Sequence, residues 1–506
     1  MRSARARSLS YFSLFPVHTI YMNIYPDISQ ISAAFTCCGD FQCRRVNVGM
    51  AGELFVHVCW LDGLVSGADV GENVLRPLTQ AARFGGLDSP FACADSIEQG
   101  GVYSYSVNRR TSPEDVIGDI THGCVALVFA DAPVLTFEVR SDKTRAVSEP
   151  TLEKSLKGSK DSFVETLRTN TALVRRHICS PKLKCVEGTL GRKSQTKISL
   201  LFIDGVADPY TVALAARRLD SIDIDGVLAL GILEEKLSDR PYSVFPQLLH
   251  TERPDRFSMH LLDGRVGVLA DGIPVGLVLP STFGEFMKVT GDASVHFAYA
   301  TALTVLRYLA LLLALLLPAL YVAVATYHQE MLPSALLLSI IEAKQNVPFS
   351  TAMEIGGMLI AFSLLQEAGL RLPDPVGDTV SIIGALIVGQ SAVDAQIASP
   401  IAIIVVALSG IACYTMPSQD MASAVRIMRF CLLIAAVIAG LYGVALVSCL
   451  FILELADMDS FGVNYTSPLT DNAPGGLFTL LVRIPRQKDK MRDPTLKTAD
   501  KKRMGK

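Results

Sequence analysis

The chain has 506 residues, of which 50% are hydrophobic and 19% charged, with a formal net charge of -3 and a mean hydropathy of +0.37. That is too apolar for an ordinary soluble protein and too charged for one held wholly in lipid, so a soluble part joined to a membrane part is expected. The near-balanced charge offers no field to nucleic acid, and the 11 scattered cysteines complete no zinc ribbon and suit a reducing compartment.

Residues 1–36 start basic and then apolar, but Pro16 and His18 interrupt the run and no small-residue cleavage site follows. They read as a poorly defined tail. An internal repeat comes next. LFVHVCWLDGLV, around Asp62 and Gly63, is echoed by ISLLFIDGVAD, around Asp204 and Gly205, at an offset of 142 residues. GCVALVFADAPVLTFEV, around Asp131, is echoed by GRVGVLADGIPVGLVLP, around Asp271, at an offset of 140. Each copy opens on an apolar strand closed by an Asp-Gly turn and ends in two short strands about a second Asp turn, with helical sequence between. Two related α/β subdomains, 37–145 and 197–296, are predicted, joined by a helical connector over 146–196.

Hydropathy rises after residue 300, and a membrane domain over 297–470 with about four spans is predicted, at 301–325, 380–396, 399–416 and 427–453. The first is long enough to cross a hydrocarbon core of about 30 Å, with a kink expected at Pro318. Val380 to Val393 is short and bears glycine, as a broken or re-entrant element does. Ala352 to Leu365, which carries Glu354, either lies in the interface or packs inside the bundle. The tail 471–506 is rich in Lys and Arg, whereas the 53 residues from Thr326 to Asp378 hold only Lys344 and Arg371, which puts the tail in the cytoplasm. Four spans bring the N-terminal domain to the same side.

No catalytic residue, metal site or cofactor site is expected. GTLGRKS, Gly188 to Ser194, lacks phosphate-loop spacing and precedes its strand, and no two histidines stand at H-x-H or H-x3-H spacing. Asp62, Asp131, Asp204 and Asp271 read as turn formers. In the membrane half, Arg307, Glu330, Glu354, Glu367, Asp394 and Arg426 would each cost about 2.5–3.5 kcal/mol at mid-bilayer, so they are expected to face the bundle, water or a partner. Arg307 is placed to snorkel, as are Arg426 and Arg429. Gln390, one turn before Asp394, makes that pair the candidate pore or gate, with interhelical hydrogen bonding as the alternative.

Six strings carry a resemblance: ETLRTNTALVRRHI (Glu165 to Ile178), GRKSQTK (Gly191 to Lys197), LLPALYVAVATYHQEMLP (Leu316 to Pro333), EAGLRLPDPVGDTVSIIGALIVGQSAV (Glu367 to Val393), SPIAIIVVALSGIA (Ser399 to Ala412) and SFGVNYTSPL (Ser460 to Leu469). From about Asp40 to Leu469 the chain resembles the A subunits of the GerA spore germination family. It departs from the family pattern at Ser162, Ser363 and Asn464. The resemblance implies an α/β soluble N-terminal region of two duplicated subdomains followed by an all-α multi-pass membrane domain, in the spore inner membrane. It also implies a permease-like B subunit and a lipoprotein C subunit as partners, a homo-oligomer in lipid, and a germinant-receptor role in ion conduction or signal transduction. A non-conducting scaffold, or a stage-V sporulation paralogue that amplifies germination, is the alternative.

Overall fold

In the computed structural model of the chain, residues 25–48, 54–79, 89–101, 106–139, 150, 153, 158–371, 389–470, 476–485 and 487–503 are described. The chain divides into an α/β unit (Met1–Ser238, Leu248–Pro280 and Asp489–Lys506) and a helical unit (Asp239–Gln247 and Ser281–Lys488).

Two five-stranded antiparallel sheets in the α/β unit follow one plan. Strands β1 (Phe41–Asn47), β2 (Phe55–Leu61), β3 (Val107–Arg110), β4 (Cys124–Val128) and β5 (Val134–Glu138) lie in the order β1-β2-β4-β5-β3. Strands β6 (Leu183–Leu190), β7 (Thr196–Ile203), β8 (Leu249–Thr251), β9 (Val266–Ala270) and β10 (Gly276–Leu279) lie in the order β6-β7-β9-β10-β8. Corresponding strands begin at residues 41 and 183, 55 and 196, 107 and 249, 124 and 266, and 134 and 276, an offset of 141 or 142. Helices α1 (Ile28–Ala34), α2 (Pro90–Ser96) and α3 (Pro113–Thr121) belong to the first copy; α4 (Leu167–His177), α5 (Pro209–Ser221), α6 (Leu230–Leu237) and α7 (Pro254–Leu262) belong to the second.

Inner strands β4 and β9 are buried at every position, which explains their unbroken apolar sequence, whereas edge strand β1 is largely exposed or half-buried. Phe257 of α7 lies directly on the second sheet. A Cβ at Gly267 would stand 2.1 Å from its ring, so only glycine lets helix and sheet approach this closely.

Three boundaries differ from the sequence reading. Helix α1 starts inside the expected tail 1–36, and its Ile31 is fully buried in the core. The expected helical connector 146–196 holds α4 and β6, the first helix and strand of the second copy. Strand β6 is half exposed and carries Lys184, Glu187 and Gly188, so its sequence shows little apolar alternation. Of the expected basic tail 471–506, the part from Asp489 belongs to the α/β unit. There Arg492 Nε donates to the Leu262 carbonyl at 2.9 Å, Ala499 N donates to the Val206 carbonyl at 3.2 Å, and Arg503 pairs with Asp263 at 2.6 Å.

The two copies are joined through α4. Arg175, 2% exposed, forms a two-pronged ion pair with Asp40, 1% exposed, at 2.5 and 2.9 Å. Burial opposes the Arg175 charge, but the charge and hydrogen bonds of Asp40 outweigh it and raise the guanidinium pKa above its ordinary value. Beside this pair, Gly39 N donates to the Cys185 carbonyl at 2.8 Å and Lys184 Nζ to the Ala34 carbonyl at 2.9 Å, so the entry to β1 runs along β6. Burial pushes the Cys185 thiol up, with Asp40 adding to the shift, which keeps a second negative charge away from the pair. Arg168, two turns earlier on α4, reaches Asp62 at 3.1 Å and Glu187 at 2.7 Å, one residue from each copy. Asn170 closes the entry loop, accepting from Val164 N at 2.8 Å and donating to Val164 O at 2.6 Å.

Breaking the buried pair from one side strands a charge. Arg175→Met is expected to cost about 3–5 kcal/mol, and the double change Arg175→Met with Asp40→Leu far less, because both charges then leave together. Urea unfolding followed by the fluorescence of Trp60, the single tryptophan, measures both. Equal losses in the single and double variants would contradict this assignment.

Candidate functional site

The helical unit contains α8 (Phe297–Tyr327), α9 (Ser334–Lys344), α10 (Thr351–Arg371), α11 (Pro400–Tyr414) and α12 (Gln419–Ala456). Among the described residues two helices are long and apolar enough to cross a membrane, α8 and α12, with mean hydropathies of 2.5 and 2.6; α11 is apolar but has 15 residues. The four expected spans are therefore not all matched by length and apolarity. Residues 380–388 of the expected element 380–396 lie outside the described residues.

Side-chain size is sorted inside-out in these helices. Ala314, Ala319 and Ala323 of α8 and Ala436, Gly440 and Gly443 of α12 are buried, while Leu306, Leu309, Leu312, Ile434, Ile438 and Ile452 are exposed. Small residues between helices and large apolar ones outside are what helix packing in lipid favours. The expected span 427–453 is part of α12, which starts at Gln419 and breaks at Gly440, where φ is 59° and ψ -140°. A Cβ there would lie 3.0 Å from His328 and 3.1 Å from Tyr327, and the Tyr327 hydroxyl donates to the Val437 carbonyl at 2.6 Å beside the break. The cause is a glycine in a backbone state that L side chains rarely adopt. Helix α8 continues through the buried Pro318.

Two charged side chains are buried against α11. Glu354 of α10, 3% exposed, accepts from the N–H of Ser399, the residue that caps α11 through its Oγ and Ala402 N at 3.2 Å. The carboxylate thus sits at the positive end of the α11 dipole. Tyr321 and Lys344 lie within its electrostatic reach, and Lys344 donates to Thr351. Glu354 Oε2 has no hydrogen-bond partner among the described residues. Arg429 of α12, 2% exposed, donates to Ser409 Oγ at 3.4 Å, and its Nε has no partner among the described residues. Ser399 and Ser409 are ten residues apart, about 15 Å along the α11 axis.

The remaining candidates are dispersed. Gln390 and Asp394 lie one turn apart in helical residues 389–394, and both are exposed. Arg307 does not snorkel freely: it forms an ion pair with Asp292 at 2.6 and 2.8 Å. Glu330 and Glu367 are exposed, and Arg426, half-buried, donates to Ser423 at 2.8 Å. Arg429, expected to snorkel with Arg426, is buried instead. Its position three residues beyond Arg426 puts both on one helix face, so spacing alone does not distinguish the buried arginine from the half-buried one. In the α/β unit, GRKSQTK forms the turn between β6 and β7. The amides of Arg192, Lys193 and Ser194 already donate to the Ile224 and Asp225 carbonyls at 2.8, 2.9 and 3.1 Å, so they are not presented to a phosphate.

A second arrangement follows α12. Strands β11 (Asp459–Ser460) and β12 (Val463–Asn464) form a tight hairpin whose turn, Phe461 and Gly462, has φ of 51° and 80°. Segment 239–247 lies against it. Phe461 N donates to Asp239 at 3.0 Å, Ser460 Oγ to the Gln247 carbonyl at 3.2 Å, and the buried Tyr465 hydroxyl to the Pro246 carbonyl at 2.7 Å. Ser243 donates to Glu454 at 2.9 Å, and Arg240 pairs with Asp457 at the end of α12. Sequence reading missed this contact because its two halves lie more than 200 residues apart.

With this geometry in view, a family model described as Bacillus/Clostridium GerA spore germination protein matches residues 29–495. The chain belongs to that family. The match begins before Asp40 and ends beyond Leu469, so it takes in residues 29–34 of α1 and residues 489–495 of the C-terminal segment that belongs to the α/β unit. Spore germination protein KA of Bacillus subtilis (strain 168) is 35% identical over 469 residues, 92% of this chain and 85% of that protein. Spore germination protein GerLA of Bacillus cereus is 31% identical over 480 residues, 94% of this chain and 96% of that protein. The uncharacterized membrane protein YfkQ of Bacillus subtilis (strain 168) is 35% identical over 465 residues, 92% of this chain and 89% of that protein. The crystal structure of the N-terminal domain of the A subunit of the Bacillus megaterium spore germinant receptor GerK3 aligns at a TM-score of 0.40 with 24% identity, covering 52% of this chain and 99% of that one.

Glu354→Ala leaves the Ser399 N–H without an acceptor and is expected to lower stability in detergent micelles by about 1–3 kcal/mol, whereas Glu354→Gln keeps an oxygen there and recovers most of the loss. Unfolding by titrated dodecyl sulfate measures the difference. Equal losses for the two variants would mean that the charge, not the hydrogen bond, matters.

Proposed function

We propose that this GerA-family chain is the A subunit of a nutrient germinant receptor, a multi-pass protein of the spore inner membrane that passes a signal from its α/β unit to its membrane helices and so to ion release. The observation that carries the reading is segment 239–247. In sequence it runs between α6 and β8 of the second repeat, yet its hydrogen bonds are to the end of α12 and the hairpin beyond it. A displacement of β8 or α6 therefore pulls on the last membrane helix through the covalent chain. Family membership supports the setting, and the names of the relatives support a germination role.

Topology follows the same logic. In this reading the segment between Pro280 and Asp489 makes an even number of crossings, with the basic C-terminal end on the cytoplasmic side; the chain's departure from the α/β unit at Pro280 and return at Asp489 support it. Helices α8 and α12 supply two crossings, and α10 and α11 are the candidates for another pair. The receptor acts with a permease-like B subunit, a lipoprotein C subunit and further copies of itself. Gln390 and Asp394, exposed on a single copy, then line the axis between copies. A non-conducting scaffold is the second reading. It is favoured by Glu354 and Arg429, which are buried within one copy and so act on helix packing.

The receptor with its partners in liposomes is expected to release cations when nutrient is added, with conductance altered in Asp394→Asn. Arg240→Ala combined with Tyr465→Phe should keep assembly and nutrient binding while reducing the evoked release by about fivefold or more. Assembly and binding without any release would remove the conducting role and leave the scaffold.

A further inference from the structure

Cys43 and Cys59 face each other across the first sheet. They are register partners in the antiparallel pair β1·β2, and their sulfurs stand 3.2 Å apart. Directly opposed residues share one face of a sheet, with Cα atoms about 4.5–5.5 Å apart, inside the span of about 4.4–6.8 Å that a disulfide bridges. The sulfurs need to close only to about 2.05 Å. One thiol is exposed and the other fully buried, so the pair has an attacking and a resolving member. From these observations we infer that Cys43 and Cys59 are a reversible redox pair, which small disulfides in solution convert to a cross-strand bond.

The chemistry closes without any other group. The Cys43 thiolate attacks one sulfur of a low-molecular-weight disulfide RSSR, the S–S bond breaks, and RS⁻ leaves and takes a proton from solvent. The Cys59 thiol loses its proton and its sulfur attacks the Cys43 sulfur of the mixed disulfide, expelling the second RS⁻, which is protonated in turn. Two protein thiols are oxidised, one small disulfide is reduced to two RSH, and no net proton is consumed. The hydrogen bond from Cys59 holds the Cys43 pKa below its ordinary value, which favours the attacking thiolate, while the same contact and burial hold Cys59 up as the later nucleophile.

The consequence is local. β1 is an edge strand, and Asp40, which immediately precedes it, is the partner of Arg175. A bond between Cys43 and Cys59 pins that edge strand to β2 and holds Asp40 where the clamp needs it. Neither ion conduction nor partner binding enters this argument, so it stands or falls apart from the receptor reading.

The test uses the full chain in detergent micelles, treated with glutathione disulfide and then with an alkylating reagent, and digested for mass spectrometry. The expected result is a peptide pair joined through Cys43 and Cys59 and reversed by dithiothreitol. The apparent unfolding midpoint reported by Trp60 should rise by roughly 5–10 °C, from constraint of the unfolded chain. Cys59→Ser should instead keep glutathione on Cys43, and Cys59→Ala provides the same readout if the serine does not fold. Persistent glutathione on Cys43 of the wild-type chain, with Cys59 still alkylated or with Cys43 joined to Cys37 or Cys38, would overturn the proposal.

Discussion

The ion pair between Arg175 and Asp40 is the constraint on which the α/β unit depends. Each charge alone would be prohibitively costly inside the protein, and each is held there by the other. Because Arg175 belongs to the first helix of the second repeat and Asp40 to the entry of the first, the pair turns two similar sheets into one body. Arg168 repeats the device nearer the surface, touching Asp62 of one copy and Glu187 of the other. A duplicated domain joined only by a flexible connector would not relay movement from one copy to the next. A buried, geometrically demanding pair instead holds the two copies in a fixed relation.

How much of this was legible in the sequence depended on where each element lies. The inner strands β2, β4, β7 and β9 are apolar runs ending at Asp62, Asp131, Asp204 and Asp271, and their repeat stood out without any structure. The edge strand β6 did not, because a half-exposed strand may carry Lys184, Glu187 and Gly188 without penalty. The aspartates do more than form turns. Asp271 accepts from Leu167 N at 2.9 Å, satisfying the first amide of α4, where Thr166 provides no side-chain cap. Roles of that kind depend on residues about 100 positions apart, so hydropathy and spacing carry no trace of them.

The helical unit is sorted in the opposite sense. Its small residues are inside and its large apolar residues outside, so sequence hydropathy located the apolar segments but not which side chains meet. The break at Gly440 and the burial of Arg429 were hidden for this reason. Both concern packing partners on other helices, Tyr327 for one and Ser409 for the other. Of the candidates Arg307, Glu330, Glu354, Glu367, Gln390, Asp394 and Arg426, Glu354 is set deepest among other helices, whereas Gln390 and Asp394 are exposed.

These two halves meet in sequence at segment 239–247, which interrupts the second repeat and belongs to the helical unit. In the proposed receptor this segment and the hairpin at 459–465 move as one when a nutrient is sensed. Amide hydrogen exchange of the assembled receptor, with and without nutrient, tests that most directly. Protection should change together in 239–247 and 459–465 while the inner strands β4 and β9 stay protected; nutrient-evoked ion release with both segments unchanged would contradict the account.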